Sequence, residues 1–422
     1  MTNTFLNFEN CGFKKDALEK EAQKLFGYIE QLKKLDNDFS YSRPESFISL
    51  ANDKELIKKV KSLIEKKKEK DLELVVLVGI GGSSLGALAL NKALLKEKKI
   101  IFAQTVDAQQ IKKIIKELKD VYKKGKKAIL VLVSKSGKTI ETIANFGVLA
   151  NVLKEIDKNW QEHIVVICDK NSKLNNFAQN KNFDVLNTPE IIKGRYSAFG
   201  PVGLFPLGLA GVKIEKLQDG AKIANEKCLL ADVDKNPALS GAISIFLNYQ
   251  AGRNIYNTFI FSSRLAFFGC WYSQLIAESL GKEGRGITPL ISMGSNDLHS
   301  LLQLYLAGPK DKFTSFLSIK NLETDFEVPA DLNLKDLVQG IEGKNLNQIM
   351  KAILEGTKIA YQKMKMPYVE FELENLKEET LGEFLQVKMI EAIYLAKLMG
   401  VDAFGQSAVE LYKSETRRLL SE

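Results

Sequence analysis

Short apolar runs alternate with helical periods from residue 72 onward, and this alternation constrains the fold more than any other feature. The predicted strands are 72–78, 100–106, 128–134, 164–169 and 183–187. The first four are apolar at nearly every position, which is typical of strands buried on both faces. Between the strands, helical periodicity predicts helices at 85–95, 108–122, 139–156 and 173–179. Strands joined by single helices form right-handed crossovers, so this region predicts a parallel sheet.

A second, shorter series of the same kind follows. It predicts strands near 258–262, 287–292 and 313–319, with helices at 265–280 and 298–306. Helices at 346–364, 376–399 and 407–420 come after it. A chain of 422 residues exceeds the ~250–300 at which one core stops growing. We therefore predict an α/β fold with a helical N-terminal arm (1–45), two parallel-sheet domains flanked by helices (46–205 and 206–385) and a helical C-terminal tail (386–422).

Composition excludes several classes of function. The net charge is +8, but the basic residues are mostly lysines interleaved with glutamates, as in 57–70, which is typical of a solvated helix face. Nucleic-acid binding requires clustered arginines and interleaved aromatic residues, and the chain has neither pattern. The longest apolar stretch, 199–212, is interrupted by prolines and is shorter than the ~20 residues that span a membrane. We expect neither nucleic acid nor a membrane as a partner.

The cysteines and the first residues bear on the compartment. Four cysteines are scattered without C-x-x-C spacing, so we expect no disulfide framework and no zinc site. The N-terminal residues show no basic region followed by an apolar one, so we read no secretory signal. These features predict a cytoplasmic protein.

Two loops of unusual composition follow predicted strands. The first strand runs into Gly79-Ile-Gly-Gly-Ser-Ser-Leu-Gly86, and the third runs into Ser134-Lys-Ser-Gly-Lys-Thr139. Ligands of open parallel sheets bind outside the carboxyl ends of the strands. Glycines there let the backbone approach a ligand, and the N–H groups at a helix start point at an anion. The two loops together predict a site for one small phosphate.

Two alternatives to a phosphate site remain open on composition. A dinucleotide fingerprint G-x-G-x-x-G would need glycine at the position of Ser84, although Asp107 resembles the acid that binds a ribose. A second loop rich in Ser and Thr has no role in dinucleotide binding. No G-x-x-x-x-G-K-[ST] motif occurs, which excludes a nucleotide P-loop. The other alternative is a pair of ordinary strand-to-helix turns whose hydroxyls cap helices.

Two further segments carry candidate chemical groups. Arg195 lies in a glycine-flanked segment after the last strand of the first series, where it is either a surface ion-pair partner or a fixed cation near a developing oxyanion. Gln274 and Glu278 are four residues apart and share one face of an apolar helix. Most helical glutamates are solvated, but a carboxylate on such a helix is also a candidate general base.

The last residues to consider for the site are two histidines and a lysine. His299 lies at a loop-to-helix junction after a predicted strand, which makes it a candidate for proton transfer. His163 begins a strand beside Glu162, and we expect a surface or structural role for it. Lys413 lies in the last predicted helix, where a lone lysine ordinarily faces solvent.

Together, from about residue 40 to 415, these segments resemble the glucose-6-phosphate isomerase family in its shorter bacterial form. The matching segments, in family order, are Gly79-Ile-Gly-Gly-Ser83, Ser134-Lys-Ser-Gly-Lys-Thr139, Gly194-Arg195, Gln274-x-x-x-Glu278-Ser-x-Gly-Lys282, His299-Ser and Gln406-x-x-Val-Glu-x-x-Lys413. The resemblance implies two sugar isomerase (SIS) domains, which agrees with the alternation of strands and helices. It also implies interconversion of glucose 6-phosphate and fructose 6-phosphate, without a metal or another cofactor.

The resemblance assigns roles to the candidates. The residues that would hold the substrate phosphate are Gly82, Ser83, Ser134, Ser136 and Thr139. Gln274 would bind sugar hydroxyls, and Glu278 would move the proton between C1 and C2 through a cis-enediol(ate). Arg195 would stabilise that intermediate. His299 and Lys413 would open the sugar ring, with the histidine supplied by the neighbouring subunit of a homodimer.

Three positions depart from the family pattern, and two other functions stay open. Lys193 stands where the family usually has glycine, Lys138 where threonine is common, and Gly405 where aspartate is typical. The sequence does not separate a glucose-specific enzyme from one that also accepts mannose 6-phosphate. A regulator built on SIS domains would need the phosphate loops, but it would have no use for Glu278 and Arg195.

Overall fold

A computed structural model describes residues 4–96 and 98–422, which form two sheets of five strands with helices packed around them. Its strands are β1 Thr4–Asn7, β2 Leu72–Val78, β3 Lys99–Ala103, β4 Lys127–Val133, β5 Ile164–Asp169, β6 Asp184–Thr188, β7 Ile255–Ile260, β8 Thr288–Met293, β9 Lys312–Ile319 and β10 Tyr368–Leu373. Its α-helices are α1 Lys15–Gln23, α2 Phe26–Lys33, α3 Lys54–Lys67, α4 Leu85–Leu94, α5 Ala108–Lys123, α6 Ile140–Ile156, α7 Lys173–Asn180, α8 Pro201–Leu209, α9 Ile214–Cys228, α10 Pro237–Gln250, α11 Ala266–Leu280, α12 Leu302–Ala307, α13 Leu346–Lys363, α14 Glu378–Met399 and α15 Glu410–Ser421.

The first sheet has the strand order β3-β2-β4-β5-β6 and is parallel throughout. Val76 of β2 pairs with Ile101 of β3 on one side and with Leu130 of β4 on the other. The apolar residues of β2 and β4 are almost fully buried, as expected for central strands between two helix layers. This confirms the parallel sheet predicted for the first series, with strand ends that differ by a few residues.

The second sheet has the order β1-β10-β9-β7-β8. Strands β10, β9, β7 and β8 are parallel, and β1 pairs with β10 in the antiparallel direction. The three predicted strands of the second series are β7, β8 and β9. The structure adds β10, which lies between the two long helices predicted near the end of the chain, and β1 from the N-terminal arm. The α/β fold class is thus confirmed, and the domain boundaries at 45, 205 and 385 remain predictions.

Two helices that are buried on nearly all sides fill the space between the sheets; the sequence predicted α14, as 376–399, but not α8. Helix α8 is buried at every position although Pro206 lies inside it, and Pro201 stands at its start. Helix α14 packs against α9, α10 and α11, and nearly all of its residues are buried. One apolar cluster joins Leu77 of the first sheet, Leu275 of α11 and Val369 of the second sheet. This shared core fixes the loops of one sheet against the helices of the other. Within the described ranges, no helix has the length and apolar character needed to cross a membrane.

Side-chain caps fix the starts of several helices. Asp107 accepts hydrogen bonds from the backbone N–H groups of Gln109 (2.7 Å) and Gln110 (3.3 Å), so it is the N-cap of α5. Asn236 caps α10 in the same way by accepting from Leu239 N at 2.9 Å. Asp107, which resembles a ribose-binding acid in the sequence, therefore has a structural role at the start of α5.

Candidate active site

A cleft of about 520 Å³ opens where the loops after β2 and β4 face the last turn of α11 and one side of α15. Most of the predicted site residues line it, namely Gly82, Ser83, Ser136, Thr139, Arg195, Gln274, Glu278 and Lys413. Two others do not, namely Ser134 and His299. The sheet edge predicted to bind a phosphate and the helix predicted to carry a base thus belong to one cavity.

The loop after β2 is in direct backbone contact with the segment that carries Arg195. A Cβ atom on Gly82 would lie 2.5 Å from the backbone nitrogen of Arg195 and equally close to Gly194. Such a distance is too short for any side chain, so the contact requires glycine at position 82. Gly81 is in the left-handed region at φ +58°, which glycine adopts without strain. This loop therefore places Ser83 and Arg195 on adjoining parts of the cleft wall.

The loop after β4 presents Ser136 and Thr139 to the cleft. Ser134 is 1% exposed, and its backbone N–H still donates to Ile167 O of β5 at 3.1 Å. Its hydroxyl donates to Oγ1 of Thr139 at 3.3 Å. Ser134 therefore lies behind the cleft surface and contacts it through Thr139, rather than lining it as a phosphate ligand would.

Lys135 connects the same loop to the segment before Arg195. Its ammonium group donates to the carbonyl oxygen of Ile192 at 3.0 Å and also to the carbonyl oxygen of Glu190. Burial lowers the pKa of Lys135, and the charge of Lys193 lowers it further, while Asp169 and Glu190 act in the opposite direction. The lysine therefore holds two parts of the cleft wall together.

Arg195 is 3% exposed, and every N–H of its guanidinium group has an acceptor within the protein. Nε bonds to Ser279 Oγ (3.1 Å), Nη1 to Glu278 Oε2 (3.0 Å) and Gln406 Oε1 (2.7 Å), and Nη2 to the carbonyl oxygens of Ala403 (2.7 Å) and Gly405 (3.4 Å). The guanidinium also lies over the Tyr196 ring, 5.6 Å from its centroid. It is therefore a fixed cation and not a mobile surface arginine.

Glu278 lies in the last turn of α11 with 29% of its side chain exposed to the cleft. Arg195 holds one carboxylate oxygen, and the Gln274 amide donates to the other at 2.8 Å. The carbonyl oxygen of that Gln274 amide is buried and accepts no hydrogen bond from the described part of the chain. The carboxylate is thus oriented from two sides.

The remaining candidates lie farther from this centre. Lys413 lines the cleft from α15, and its Nζ lies 2.8 Å from Oε1 of Glu410. The hydrogen bond from Lys413 lowers the pKa of Glu410. His299 is exposed, directly after the short helix Asn296–Leu298, and lies outside the cleft lining. His163 is 4% exposed with Nδ1 3.2 Å from Asp157 Oδ2, which is a structural contact.

Several residues that hold the centre together are not among the predicted site residues. Ser279 bonds both to Arg195 and to the Tyr196 hydroxyl, at 2.8 Å from the latter. Asp402 accepts from the backbone N–H groups of Phe404 (2.9 Å) and Gly405 (2.8 Å), which fixes the turn that contacts Arg195. A Cβ on Gly405 would lie 2.7 Å from Asp402 Oδ2, so glycine suits this turn. The motifs around Glu278 and Lys413 contained Ser279 and Gln406, but gave them no role.

Comparison with known proteins identifies the family. The family model for phosphoglucose isomerase matches residues 30–298, which is more than half of the chain. The chain belongs to the phosphoglucose isomerase family. A probable glucose-6-phosphate isomerase of Methanococcus maripaludis is 31% identical over 98% of this chain and 92% of its own length. The glucose-6-phosphate isomerase of Methanocaldococcus jannaschii is 33% identical over 83% of this chain and 85% of its own.

Solved structures agree with this phosphoglucose isomerase fold. The crystal structure of the hypothetical protein TT0462 from Thermus thermophilus has a TM-score of 0.87 at 28% identity, and covers 99% of this chain and 100% of its own. A glucose-6-phosphate isomerase from Chlamydia trachomatis has the same TM-score of 0.87 at 19% identity, covering 99% of this chain and 88% of its own. The second likeness shows the fold alone. The predicted family is confirmed, and the chain is an enzyme of the aldose–ketose isomerase class.

Proposed function

We propose that this phosphoglucose isomerase interconverts D-glucose 6-phosphate and D-fructose 6-phosphate, with Glu278 as the base that moves a proton between C1 and C2. The observation that carries the proposal is the Glu278 carboxylate, which is held between Arg195 and Gln274 on the wall of the cleft. The names of the relatives in Methanococcus and Methanocaldococcus support the same substrate pair. They support neither a regulator nor a dual-specificity enzyme.

The chemistry requires a positioned base. In the open-chain aldose, the proton on C2 is weakly acidic because it lies next to the C1 carbonyl. Glu278 accepts this proton while the C1 oxygen becomes an enediolate oxygen. It then returns the proton to C1, while the proton of the C2 hydroxyl passes to the C1 oxygen and C2 becomes the ketone carbonyl. General-base catalysis of such a transfer contributes about 10²–10⁴-fold in rate. The positive charge of Arg195, which lies beside the carboxylate, stabilises the negative charge that develops on the enediolate oxygen.

The two loops after β2 and β4 would hold the phosphate. Ser83, Ser136 and Thr139 offer hydroxyl donors to the cleft, and Gly82 exposes backbone beside them. Ser134 would act through Thr139, because its own hydroxyl is buried against it. The phosphate does not react, so its binding energy serves to place C1 and C2 next to Glu278.

Lys413 and His299 would open the sugar ring by proton transfer at the ring oxygen and the C1 hydroxyl. Lys413 reaches the cleft from α15 of the same chain. His299 is exposed and outside the cleft of its own chain, which supports a homodimer in which each subunit supplies this histidine to its neighbour. The exposed apolar side chains of Phe326 (67%) and Leu337 (81%) support a contact with a second copy.

A mixed-subunit experiment tests the shared site. In a dimer of one Glu278→Gln chain and one His299→Ala chain, one site receives both changes and the other receives neither. Random mixing of the two inactive variants should therefore restore about a quarter of the wild-type activity. Activity that stays at the level of the separate variants, while mass analysis shows mixed dimers, would contradict the shared site.

We also place the enzyme in the cytoplasm, with a role in glycolysis and gluconeogenesis. Cys11, Cys168 and Cys228 are buried free thiols, and Cys270 is an exposed one, which is consistent with a reducing compartment. Imaging of the tagged protein in its native cell is the direct measurement.

The function itself is tested with Glu278→Gln. The wild type should form fructose 6-phosphate from glucose 6-phosphate and exchange the C2 proton with solvent deuterium. The variant should lose about 10²–10⁴-fold in kcat, because an amide cannot accept the proton. Glu141→Gln is the matched control, since Glu141 is another carboxylate of the cleft wall and has no role in the transfer. An inactive wild type would contradict the function, and an unchanged Glu278→Gln would contradict the base.

A further inference from the structure

A tight turn follows α11 and has basic residues on both sides. Lys282 and Arg285 exchange backbone hydrogen bonds, Lys282 N to Arg285 O at 3.0 Å and Arg285 N to Lys282 O at 2.8 Å. The two residues between them have positive φ, Glu283 at +54° and Gly284 at +72°. Two-residue turns of this kind fix the relative placement of the flanking residues. We call residues 281–286 the basic turn.

Lys282 reaches back to the end of α11. Its ammonium group donates to the carbonyl oxygens of Glu278 at 3.0 Å and Ser279 at 2.8 Å. The last carbonyls of a helix have no partner within the helix, and a lysine near the C-terminus can bind them. These two residues are also the ones whose side chains contact Arg195, through the carboxylate and the hydroxyl. The lysine therefore fixes the backbone of both α11 residues whose side chains contact Arg195.

Arg285 performs the same task at the end of α14. Its Nη1 donates to the carbonyl oxygen of Met399 at 2.6 Å and approaches that of Gly400 at 3.4 Å. Immediately after this point the chain supplies the other acceptors of Arg195, namely the carbonyl oxygens of Ala403 and Gly405 and the Gln406 side chain. The basic turn thus caps α11, which provides two acceptors of the Arg195 guanidinium, and α14, which leads into the segment that provides the other three.

The Lys282 ammonium group is partly buried and held in one position, unlike that of a solvated surface lysine. Burial lowers the pKa of Lys282, the charge of Arg195 lowers it further, and the carboxylates of Asp402 and Glu278 act in the opposite direction. These are the charged groups that face the ammonium from the segments packed around it. The lysine lies within the electrostatic range of the base without touching the cleft, since it is not among the lining residues.

We propose that Lys282 is a positioning residue for isomerisation, and that the basic turn sets the distance between Glu278 and Arg195. The proposal rests on the proposed function of Glu278 as the base. Lys282 touches no substrate, and it acts by holding the peptide groups of Glu278 and Ser279 in place. A loss of this cap lets the last turn of α11 fray, which moves the carboxylate away from its reactive position while the phosphate loops stay intact.

The test compares kcat with KM in Lys282→Met, which keeps an unbranched side chain of similar length and removes the donors. We expect kcat for glucose 6-phosphate to fall about 10- to 100-fold, the scale on which small misplacements of catalytic groups reduce rates. KM should stay within about twofold, because the Lys282 ammonium donates to the end of α11 and not to the phosphate loops. Lys282→Arg keeps charged donors near the carbonyls, so it should recover most of the lost kcat. Lys310→Met is the matched control, since Lys310 caps α12 through Leu306 O at 2.8 Å in the same i+4 arrangement.

The outcomes separate this inference from the function it rests on. An inactive wild type defeats the proposed function, whereas an active wild type with an unchanged kcat in folded Lys282→Met defeats the positioning role alone. A fall in kcat that appears equally in Lys310→Met would also overturn it. If Lys282→Met does not fold, Arg285→Met is measured in its place, because the side chain of Arg285 is exposed. The proposal requires a lower kcat at constant KM in this variant as well.

Discussion

The Nη1 atom of Arg195 lies 3.0 Å from Oε2 of Glu278, and this contact joins the two halves of the molecule at the cleft. Arg195 follows the last strand of the first sheet, and Glu278 ends a helix that packs on the second. Arg195 and Glu278 belong to different halves, so the shared core between the two sheets sets their relative geometry.

Arg195→Lys should lower kcat about 10²-fold or more. The planar guanidinium group of Arg195 donates to five acceptors, whereas a lysine has three donors on one nitrogen and cannot reach all of them. Glu278 therefore loses its fixed orientation in the variant. The measurement is steady-state kinetics with glucose 6-phosphate. Arg264→Lys is the control, because Arg264 bonds to the carbonyl oxygen of Ala93 at the end of α4, outside the cleft lining. A kcat within threefold of the wild type in Arg195→Lys would refute the role of the guanidinium group in orienting Glu278.

Gly82→Ala should raise KM for the sugar phosphate at least tenfold and also lower the thermal midpoint. The added Cβ would lie 2.5 Å from the backbone nitrogen of Arg195, so one of the two loops has to move. Gly147→Ala is the control, since a Cβ at that position in α6 meets nothing within 4 Å. It should stabilise the protein by about 0.5–1 kcal/mol, because alanine favours a helix over glycine. Normal KM and stability in Gly82→Ala would show that the loops separate freely.

Lys388→Met should destabilise the fold by about 3–5 kcal/mol, measured by urea unfolding. Lys388 and Glu391 are buried in α14, with Nζ 2.5 Å from Oε1, and the removal of the lysine leaves a buried carboxylate without its cation. Combining it with Glu391→Leu should recover much of that loss. Lys235→Met, at an exposed pair with Asp232, should cost less than about 1 kcal/mol. Equal losses at the two sites would contradict this account.

Stability should fall in acid partly through Asp184. Burial raises the pKa of this carboxyl, but hydrogen bonds and charges from Lys66 and Lys67 outweigh burial, and the pKa lies below its ordinary value of 3.8. The folded state thus binds the proton less readily than the unfolded state. The stabilisation is complete above pH 3.8 and is lost as pH falls through the lower folded pKa. Urea unfolding of Asp184→Asn across this range should show a shallower acid decline than wild type; parallel curves would contradict the assignment.

The fold was predictable where burial produces continuous apolar runs. Strands such as β2 are buried on both faces, so their sequence identifies them without the partner strands. The four residues of β1 are too few to show a period, and β10 becomes a strand through its pairing with β9. Helix α8 is apolar on all sides, so it has no stripe that marks a helix.

The candidate site was predictable where its residues lie close to each other in the chain. The loop glycines and hydroxyls follow strands, and Gln274 and Glu278 are one helical turn apart, so each group was visible locally. The contacts of Ser279 and Gln406 with Arg195 join distant segments, and no local pattern indicates them. Ser134 was predicted as a phosphate ligand from its position in the loop, but its side chain is buried. Its backbone continues the pairing of β4 with β5, and the local sequence does not indicate this.

The pairing of β1 with β10 has a consequence for biosynthesis. Among the strands of residues 4–96 and 98–422, β1 leaves the ribosome first during translation, whereas its partner β10 emerges only after both α/β series have been made. The first sheet is contiguous from β2 to β6 and can close early. The second sheet is complete only once β10 has been made, so the nascent chain carries β1 without its partner strand for most of its synthesis.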